Sequence, residues 1–323
     1  MKAIVQDRFG SADVLEFRDV PDPLIGGEEV LVSVRAAGCG PDVWHLMTGL
    51  PSMARLMPEF RREWKAPRGR DVAGVVEQVG AGVTELAVGD PVMGIVEGSF
   101  AELAAGSPSK LVRKPERLSF EQAAAVPISG LTALQAVRDV ADVKAGQRVL
   151  VIGAGGGVGT LAVQIARSYG AHVTAVCGGG KEELVRSIGA DDVIDYRRED
   201  VTDGRRRWDA IIDTAGRRSL RSLRRGLAPK GVLAIVGGDG GGKVTGGFFR
   251  QILRAPVLSL FTGQRLRPVI AKEDHADLQE LTRLIEAGEV TPVVDRSFAL
   301  VEAPEAIRYL EQGHPAGKVI VTG

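Results

Sequence analysis

The chain is poor in cysteine and aromatic residues, has no excess charge of either sign and no long apolar run, and each shortage removes a class of protein. Two cysteines in 323 residues, Cys39 and Cys177, are too few for a disulfide framework or a four-thiolate zinc site. Lysine and arginine together number 41, as do aspartate and glutamate, so the formal net charge is zero. Nucleic-acid binding rests on clustered cations that displace counterions, which a balanced chain does not offer overall. No apolar run nears the ~18 residues of a membrane helix, so no membrane span is expected. The N-terminus enters strand-like sequence at once, Met1-Lys2-Ala3-Ile4-Val5, without the apolar core of a signal peptide. We therefore expect a cytoplasmic protein.

What the chain has in excess is glycine, 42 residues gathered in short dense clusters. That is about twice the usual ~7% share, and such clusters suit tight turns or the approach of backbone to a ligand. At ~150 residues per domain the length suggests two domains. Residues 1–118 read as short strands broken by turns, including Val30 to Ala36, Val72 to Val79 and Gly89 to Gly94, the texture of a β-barrel. From 119 to 271 apolar strands alternate with helical periodicity. Arg148 to Ile152 is a buried strand, Val158, Leu161, Ala162, Ile165, Ala166 and Tyr169 mark one face of a helix, and His172 to Cys177 is the next strand. That repetition predicts a doubly wound parallel sheet. The tail 272–323 carries two helices and a closing strand, Lys318 to Val321. It either extends the sheet or returns to the first domain.

The loop Ala154, Gly155, Gly156, Gly157, Val158 and Gly159 lies directly between the first buried strand and its helix. Glycines there allow a tight turn, let the backbone approach a pyrophosphate, and offer it the free amides of the helix N-terminus. The alternative is a glycine-rich turn with no ligand, but strand, helix and next strand all follow on schedule. No Lys-Ser or Lys-Thr follows, as a P-loop would require. An NAD site would end its second strand with an acid on the ribose, whereas here the sequence reads Cys177-Gly178-Gly179-Gly180-Lys181. Glycines and a lysine leave room and charge for a 2′-phosphate, so NADPH is the expected cofactor. The competing reading makes Lys181 the start of a solvated helix. Tyr196 and Arg197 are further contacts to consider, and Cys177 suits strand-end packing better than nucleophilic attack.

The order of these features resembles the medium-chain dehydrogenase/reductase superfamily, in its zinc-independent, quinone-oxidoreductase-like branch, and within it the reticulon-interacting oxidoreductases. The stretches that carry the resemblance run along nearly the whole chain. They are Gly69-Arg70-Asp71-Val72-Ala73-Gly74, Val79-Gly80-Ala81-Gly82, Val88-Gly89-Asp90-Pro91, Gly98-Ser99-Phe100-Ala101-Glu102, Leu131-Thr132-Ala133, Gly156-Gly157-Val158-Gly159, Gly189-Ala190-Asp191 and Gly317-Lys318-Val319. The resemblance implies an α/β chain with a GroES-like β-barrel as catalytic domain, a Rossmann doubly wound domain, and a C-terminal segment returning to the barrel, with the cofactor in the cleft between the domains.

Zinc-dependent members carry Gly-His-Glu where this chain has Gly69-Arg70-Asp71. An arginine has no lone pair to give a metal. Cys39 stands near a family ligand position, where a packed thiol competes with an unfamiliar metal site shared with His45 and Asp71. We expect no metal. A nicotinamide site without a Lewis acid is poorly equipped for simple alcohols but can reduce quinones and α,β-unsaturated carbonyls, which are already electrophilic.

The expected catalytic residues follow the first long strand: Asp42, Trp44 as an apolar wall, His45 as hydrogen-bond or proton donor, and Thr48. Barrel packing for Trp44 and a backbone partner for His45 are the alternatives. Thr132 resembles the family threonine against the nicotinamide. Asp213 and Gly237 end strands at the cofactor edge, and Lys318 is placed among the cofactor contacts.

Two apolar-and-basic stretches complete the reading. Gly49 to Arg68 is either a lid or a surface helix, and Gly240 to Arg267 reads first as a homodimer contact, with a membrane-surface role second. Acidic neighbours of the arginine groups at 205–207 and 217–225 argue for solvated faces over RNA binding. Two other readings of the whole chain stand beside the metal-free reductase. They are a zinc-type alcohol dehydrogenase and a non-catalytic NADPH-binding sensor or partner module.

Overall fold

A computed structural model describes residues 1–56, 66–237, 242–313 and 315–323. Met57, Phe60, Arg61, Arg62, Trp64 and Lys65 of the first apolar-and-basic stretch lie outside the described residues, as do Gly238 and the Phe248 and Phe249 side chains. The chain forms two compact units, one of residues 1–131, 273–287 and 292–323, the other of residues 132–272 and 288–291.

The first unit opens with β1 (Lys2–Val5) and β2 (Glu16–Asp19), an antiparallel pair. There follow β3 (Val30–Cys39), α1 (Pro41–Thr48), β4 (Asp71–Val79), β5 (Pro91–Ile95), β6 (Leu103–Gly106), β7 (Leu111–Arg113), α2 (Phe120–Ala124) and α3 (Pro127–Gln135), whose last residues pass into the second unit. Residues 119–131 belong with the strands because α2 packs on β3 and β4, although the change in sequence texture falls at 118. The long strand β3 slips register between Leu31 and Val32 and again between Val34 and Ala36. Such bulges bend a strand, and β3 pairs with three others, β4, β6 and the last strand of the chain. Side chains from β3, β4, β5, β7 and that last strand, among them Val32, Val72, Val92, Leu111 and Val319, close one apolar core together with Phe100 from the β5–β6 connection.

The second unit contains β8 (Arg148–Ile152), α4 (Gly157–Ser168), β9 (His172–Cys177), α5 (Glu182–Ser187), β10 (Asp192–Asp195), β11 (Trp208–Asp213), α6 (Leu220–Gly226), β12 (Leu227–Ile235), α7 (Gly242–Leu260) and β13 (Arg265–Pro268). Its six strands are all parallel, in the order β10-β9-β8-β11-β12-β13. Val149, Leu150 and Val151 are fully buried in succession, as a parallel strand covered on both faces requires. Successive connections on opposite sides of β8 make the doubly wound sheet that the alternating pattern predicts.

The tail supplies α8 (His275–Glu286), β14 (Val294–Ala299), α9 (Ala303–Glu311) and β15 (Lys318–Thr322). Here β15 pairs antiparallel with β3 and carries β14 beside it, so the C-terminal segment joins the first unit's seven-stranded sheet. Among the described residues no helix is long and apolar enough to cross a membrane.

Candidate functional site

Parallel pairing brings the ends of five strands to one edge of the second unit. Ile152 lies opposite Val176 and Asp213, Cys177 opposite Asp195, and Asp213 opposite Ile235. The chain leaves β8 through Gly153, whose φ of 82° is open to glycine and strained for other residues. A Cβ on Gly159 would lie 2.1 Å from the Gly153 carbonyl oxygen, so α4 packs against the turn at a distance only glycine permits. Gly156 caps α4 with no side-chain hydrogen bond, and Gly157 and Val158 form the first turn beside buried Ala154. The opening amides of a helix without such a cap are the donors a pyrophosphate needs. At the same edge Gly237 would place a Cβ 2.1 Å from the Thr214 carbonyl oxygen, and Asp213, fully buried, accepts the Gly216 amide at 3.1 Å.

The end of β9 turns through Gly178, Gly179 and Gly180 to Lys181, whose side chain lies over the glycine loop. A Cβ on Gly155 would meet the Lys181 Cδ at 2.6 Å. A Cβ on Gly178 would sit 3.3 Å from the Tyr196 ring and 3.6 Å from an Arg197 guanidinium nitrogen, and one on Gly179 would sit 3.7 Å from the other. Arg197 also stands 5.8 Å from the Tyr196 ring centroid, a cation on an aromatic shelf. The nearby Asp195 carboxylate accepts the Arg197 amide at 2.9 Å and pairs with Arg198. Burial pushes the Cys177 thiol up to about 11, with Glu182 adding to the shift, which leaves it un-ionised at neutral pH.

In the first unit α1 gathers the other residues singled out in the sequence. Trp44 packs on the barrel core, donates Nε1–H to Glu311 at 2.7 Å, and meets the His45 ring edge-on with centroids 5.0 Å apart. His45 Nδ1 lies 2.7 Å from the Leu50 carbonyl oxygen, so Nδ1 carries the proton in that bond. Thr48 donates to the Trp44 carbonyl at 2.8 Å, the back-bond of a threonine in a helix. Asp42 stands in the first turn of α1 with its Oδ2 buried and without a hydrogen-bond partner.

Behind α1 lie two charges that no local pattern connects. Asp71 of β4 is 1% exposed and Lys318 of β15 is 5% exposed, and they pair at 2.7 Å. Asp71 Oδ1 also accepts the Ile128 amide at 2.7 Å, and the ammonium reaches Ser129 Oγ at 3.2 Å. Burial opposes the ammonium, yet the facing Asp71 and Asp42 carboxylates hold its pKa above the usual lysine range. Burial also pushes the Asp71 carboxyl up, and Lys318 pulls it back. Cys39 is buried beside them, its thiol pushed by desolvation up to about 12. Arg70 turns to Glu97 and to Glu273, which Lys110 holds at 2.6 Å from the other side.

These residues do not fit a zinc ion. A ligand set needs free lone pairs, and here stand an arginine, which has none to give, and a carboxylate already bonded through both oxygens with a lysine cation against it. Among the described residues no group of three or more potential ligands comes together.

A parallel doubly wound unit with a glycine-rich turn at its cofactor edge, joined to a seven-stranded sheet that the C-terminus completes, defines a dinucleotide-dependent oxidoreductase. An alcohol dehydrogenase GroES-like domain model matches residues 26–116, and a zinc-binding dehydrogenase model matches residues 188–321. The chain is 32% identical to the mitochondrial NAD(P)H oxidoreductase RTN4IP1 of Mus musculus, over 99% of its own length and 89% of that protein's. It is 33% identical to the chloroplastic NADPH-dependent alkenal/one oxidoreductase of Arabidopsis thaliana, over 99% and 79%. The quinone oxidoreductase from Coxiella burnetii superposes with a TM-score of 0.87 at 30% identity, covering 100% and 99% of the two chains. This chain belongs to the medium-chain dehydrogenase/reductase superfamily, in its quinone-oxidoreductase-like branch. It is an oxidoreductase that uses a nicotinamide cofactor.

The long-range partners were beyond sequence reasoning. Glu311 lies 267 residues from Trp44, and Asp71 lies 247 from Lys318. The arginine groups show ordinary surface pairing, Arg206 with Glu199 and Arg218 with Asp200.

Proposed function

We propose that this protein is an NADPH-dependent reductase that transfers hydride, without a metal, to a quinone or an α,β-unsaturated carbonyl. The observation that carries this reading is Arg70, standing where zinc-dependent members carry the histidine of Gly-His-Glu and turned to Glu97 and Glu273, beside an Asp71 carboxylate bonded on one oxygen to Lys318 and on the other to the Ile128 amide. With no Lewis acid to steady an alkoxide, the acceptor must itself be electrophilic. A bound dihydronicotinamide supplies the hydride. The names of the Arabidopsis and Coxiella relatives, an alkenal/one reductase and a quinone reductase, agree with this acceptor class.

In this reading Ala154, Gly155, Gly156, Gly157, Val158 and Gly159 hold the pyrophosphate, and Asp213 and Gly237 shape the edge beside it. Gly178, Lys181, Tyr196 and Arg197 receive the 2′-phosphate, because two cations replace the strand-end acid of an NAD site. Thr132 orients the nicotinamide. Trp44 forms an apolar wall, Thr48 steadies it through its main-chain bond, and His45 and Asp42 serve the acceptor oxygen or its proton.

The outer edge of β13, which pairs with no further strand among the described residues, and the exposed side chains of Leu253, Val257, Leu260 and Phe261 support a homodimer through this part of the chain. Light scattering at micromolar concentration should give twice the chain mass, and a monomer would refute it.

The functional test is oxidation of NADPH and NADH against a panel of quinones and conjugated enones, with a saturated aldehyde as control. Turnover with NADPH on the conjugated acceptors alone is the expected result. Tight NADPH binding without turnover on any acceptor would replace the enzyme reading with a sensor.

A further inference from the structure

The first turn of α3 is held from outside by two residues 247 positions apart in the chain. Ile128 is the second residue of the helix, within the first turn, where amides point out of the helix N-terminus. Asp71 Oδ1 accepts that amide at 2.7 Å, and a carboxylate there also complements the positive end of the helix. On the next residue, Ser129 Oγ receives the Lys318 ammonium at 3.2 Å, and the ammonium closes the ring onto Asp71 Oδ2 at 2.7 Å. Asp71, Ser129 and Lys318 are all buried, at 1%, 4% and 5% exposure.

A buried ion pair is an expensive way to hold a fold together, since apolar side chains of similar volume are often as stable or more so. The surroundings nevertheless make room for it. A Cβ on Gly38 would lie 2.6 Å from Asp71 Oδ2, and one on Gly40 would lie 3.1 Å from Lys318 Nζ and 2.5 Å from Asp42 Oδ1. The end of β3 is thus reduced to backbone on either side of Cys39 where the charges stand. What the pair controls is the height and rotation of one helical turn, and the residue on the same face one turn further on is Thr132.

We propose that Asp71 and Lys318 are positioning residues for Thr132. The proposal rests on the reading in which Thr132 orients the nicotinamide. The Asp71–Ile128 bond sets the helix along its axis, and the Lys318–Ser129 bond sets its rotation. Loss of either lets the Thr132 hydroxyl wander from the geometry that hydride transfer needs, with no residue of the glycine loop disturbed.

The test uses Lys318→Met, Thr132→Ala and their combination in the full chain, with Asp71→Asn/Lys318→Met as a charge-balanced variant that keeps an acceptor for the Ile128 amide. Lys318→Met should lower kcat on a conjugated acceptor about tenfold, equivalent to one decade of barrier. NADPH affinity, read by fluorescence titration, separates this role from the direct cofactor contact expected of Lys318: a positioning role holds the change within about threefold, and a larger loss would assign the residue to cofactor binding and overturn the proposal. In the Thr132→Ala background the same substitution should cost less than about twofold, the non-additivity of residues that act through one another. Hydrogen exchange across residues 126–133 should quicken in both Lys318 variants. Full additivity with Thr132→Ala, or unchanged exchange in this segment, would overturn the proposal even if the variants melt earlier. Should the wild type turn over no acceptor, the reductase reading fails by itself, and hydrogen exchange still decides whether the pair holds the helix.

Discussion

Gly178→Asp tests the cofactor reading at the point where the chain departs from an NAD site. Gly178 lacks the positive φ of Gly180, so a side chain is compatible with its backbone. Its Cβ would stand 3.6 Å from an Arg197 nitrogen and 3.3 Å from the Tyr196 ring, ordinary or slightly tight contacts that a ring can relieve. The new carboxylate would draw Arg197 into an ion pair and present an acceptor to a ribose hydroxyl, while repelling a 2′-phosphate. A hydrogen bond to a charged group is worth about 1.5–3 kcal/mol. Losing one such bond to the phosphate and adding one to the bare ribose should therefore shift the ratio of NADPH to NADH specificity by about 3–6 kcal/mol at most, and by roughly 2 after solvent screening. At 1.4 kcal/mol per decade the ratio of kcat/KM values should fall at least about tenfold. The assay is initial-rate kinetics with both cofactors at one fixed ionic strength, since the difference is electrostatic. A ratio unchanged within about twofold would show that this turn does not read the 2′-phosphate.

Three further outcomes follow from particular contacts. Gly159→Ala forces a methyl to 2.1 Å from the Gly153 carbonyl, so α4 must move; thermal unfolding should show a loss of about 2 kcal/mol or more, and NADPH titration a large loss of affinity. His45→Ala should lower turnover and leave NADPH affinity intact, and unchanged turnover would remove the residue from the mechanism. Glu273 is half-buried, and although burial raises its pKa, Lys110 and Arg70 together bring it below the usual carboxylate range. A depressed pKa stabilises the fold above the unfolded-state value near 4.5 and loses that stability as pH falls through the folded value. Glu273→Gln should therefore cost about 1 kcal/mol at pH 7 in denaturant titrations, and the gap from wild type should close as pH falls below the unfolded-state value near 4.5 and through the lower folded-state value. A gap that persists in acid would assign the effect to packing.

How much of this was readable in advance depends on how far along the chain each interaction reaches. The doubly wound sheet was legible because each strand and helix writes its own period, and the turn at Gly153 to Gly159 because glycine's latitude is a property of single residues. The texture change at 118 did not mark the edge of a compact unit, since α2 is a helix that packs on strands. The roles of Trp44 and His45 stood open between wall or donor and barrel packing. Glu311 and the Leu50 carbonyl now show the bonds each makes, and neither bond has a sequence signature. Lys318 was drawn toward the cofactor by its motif alone. Its burial against Asp71 and Ser129 is a product of β15 folding back onto β3, which periodicity left undecided.

The central claim is that hydride transfer here needs no metal. The most direct measurement is kcat/KM with NADPH and a conjugated enone on protein stripped by a chelator, with bound metal counted by mass spectrometry and zinc then added back. The account predicts full activity below about 0.1 metal per chain and no gain on adding zinc, because Arg70 has no lone pair to give and Asp71 is bonded through both oxygens. Activity that falls with the metal and returns in proportion to zinc bound would contradict it.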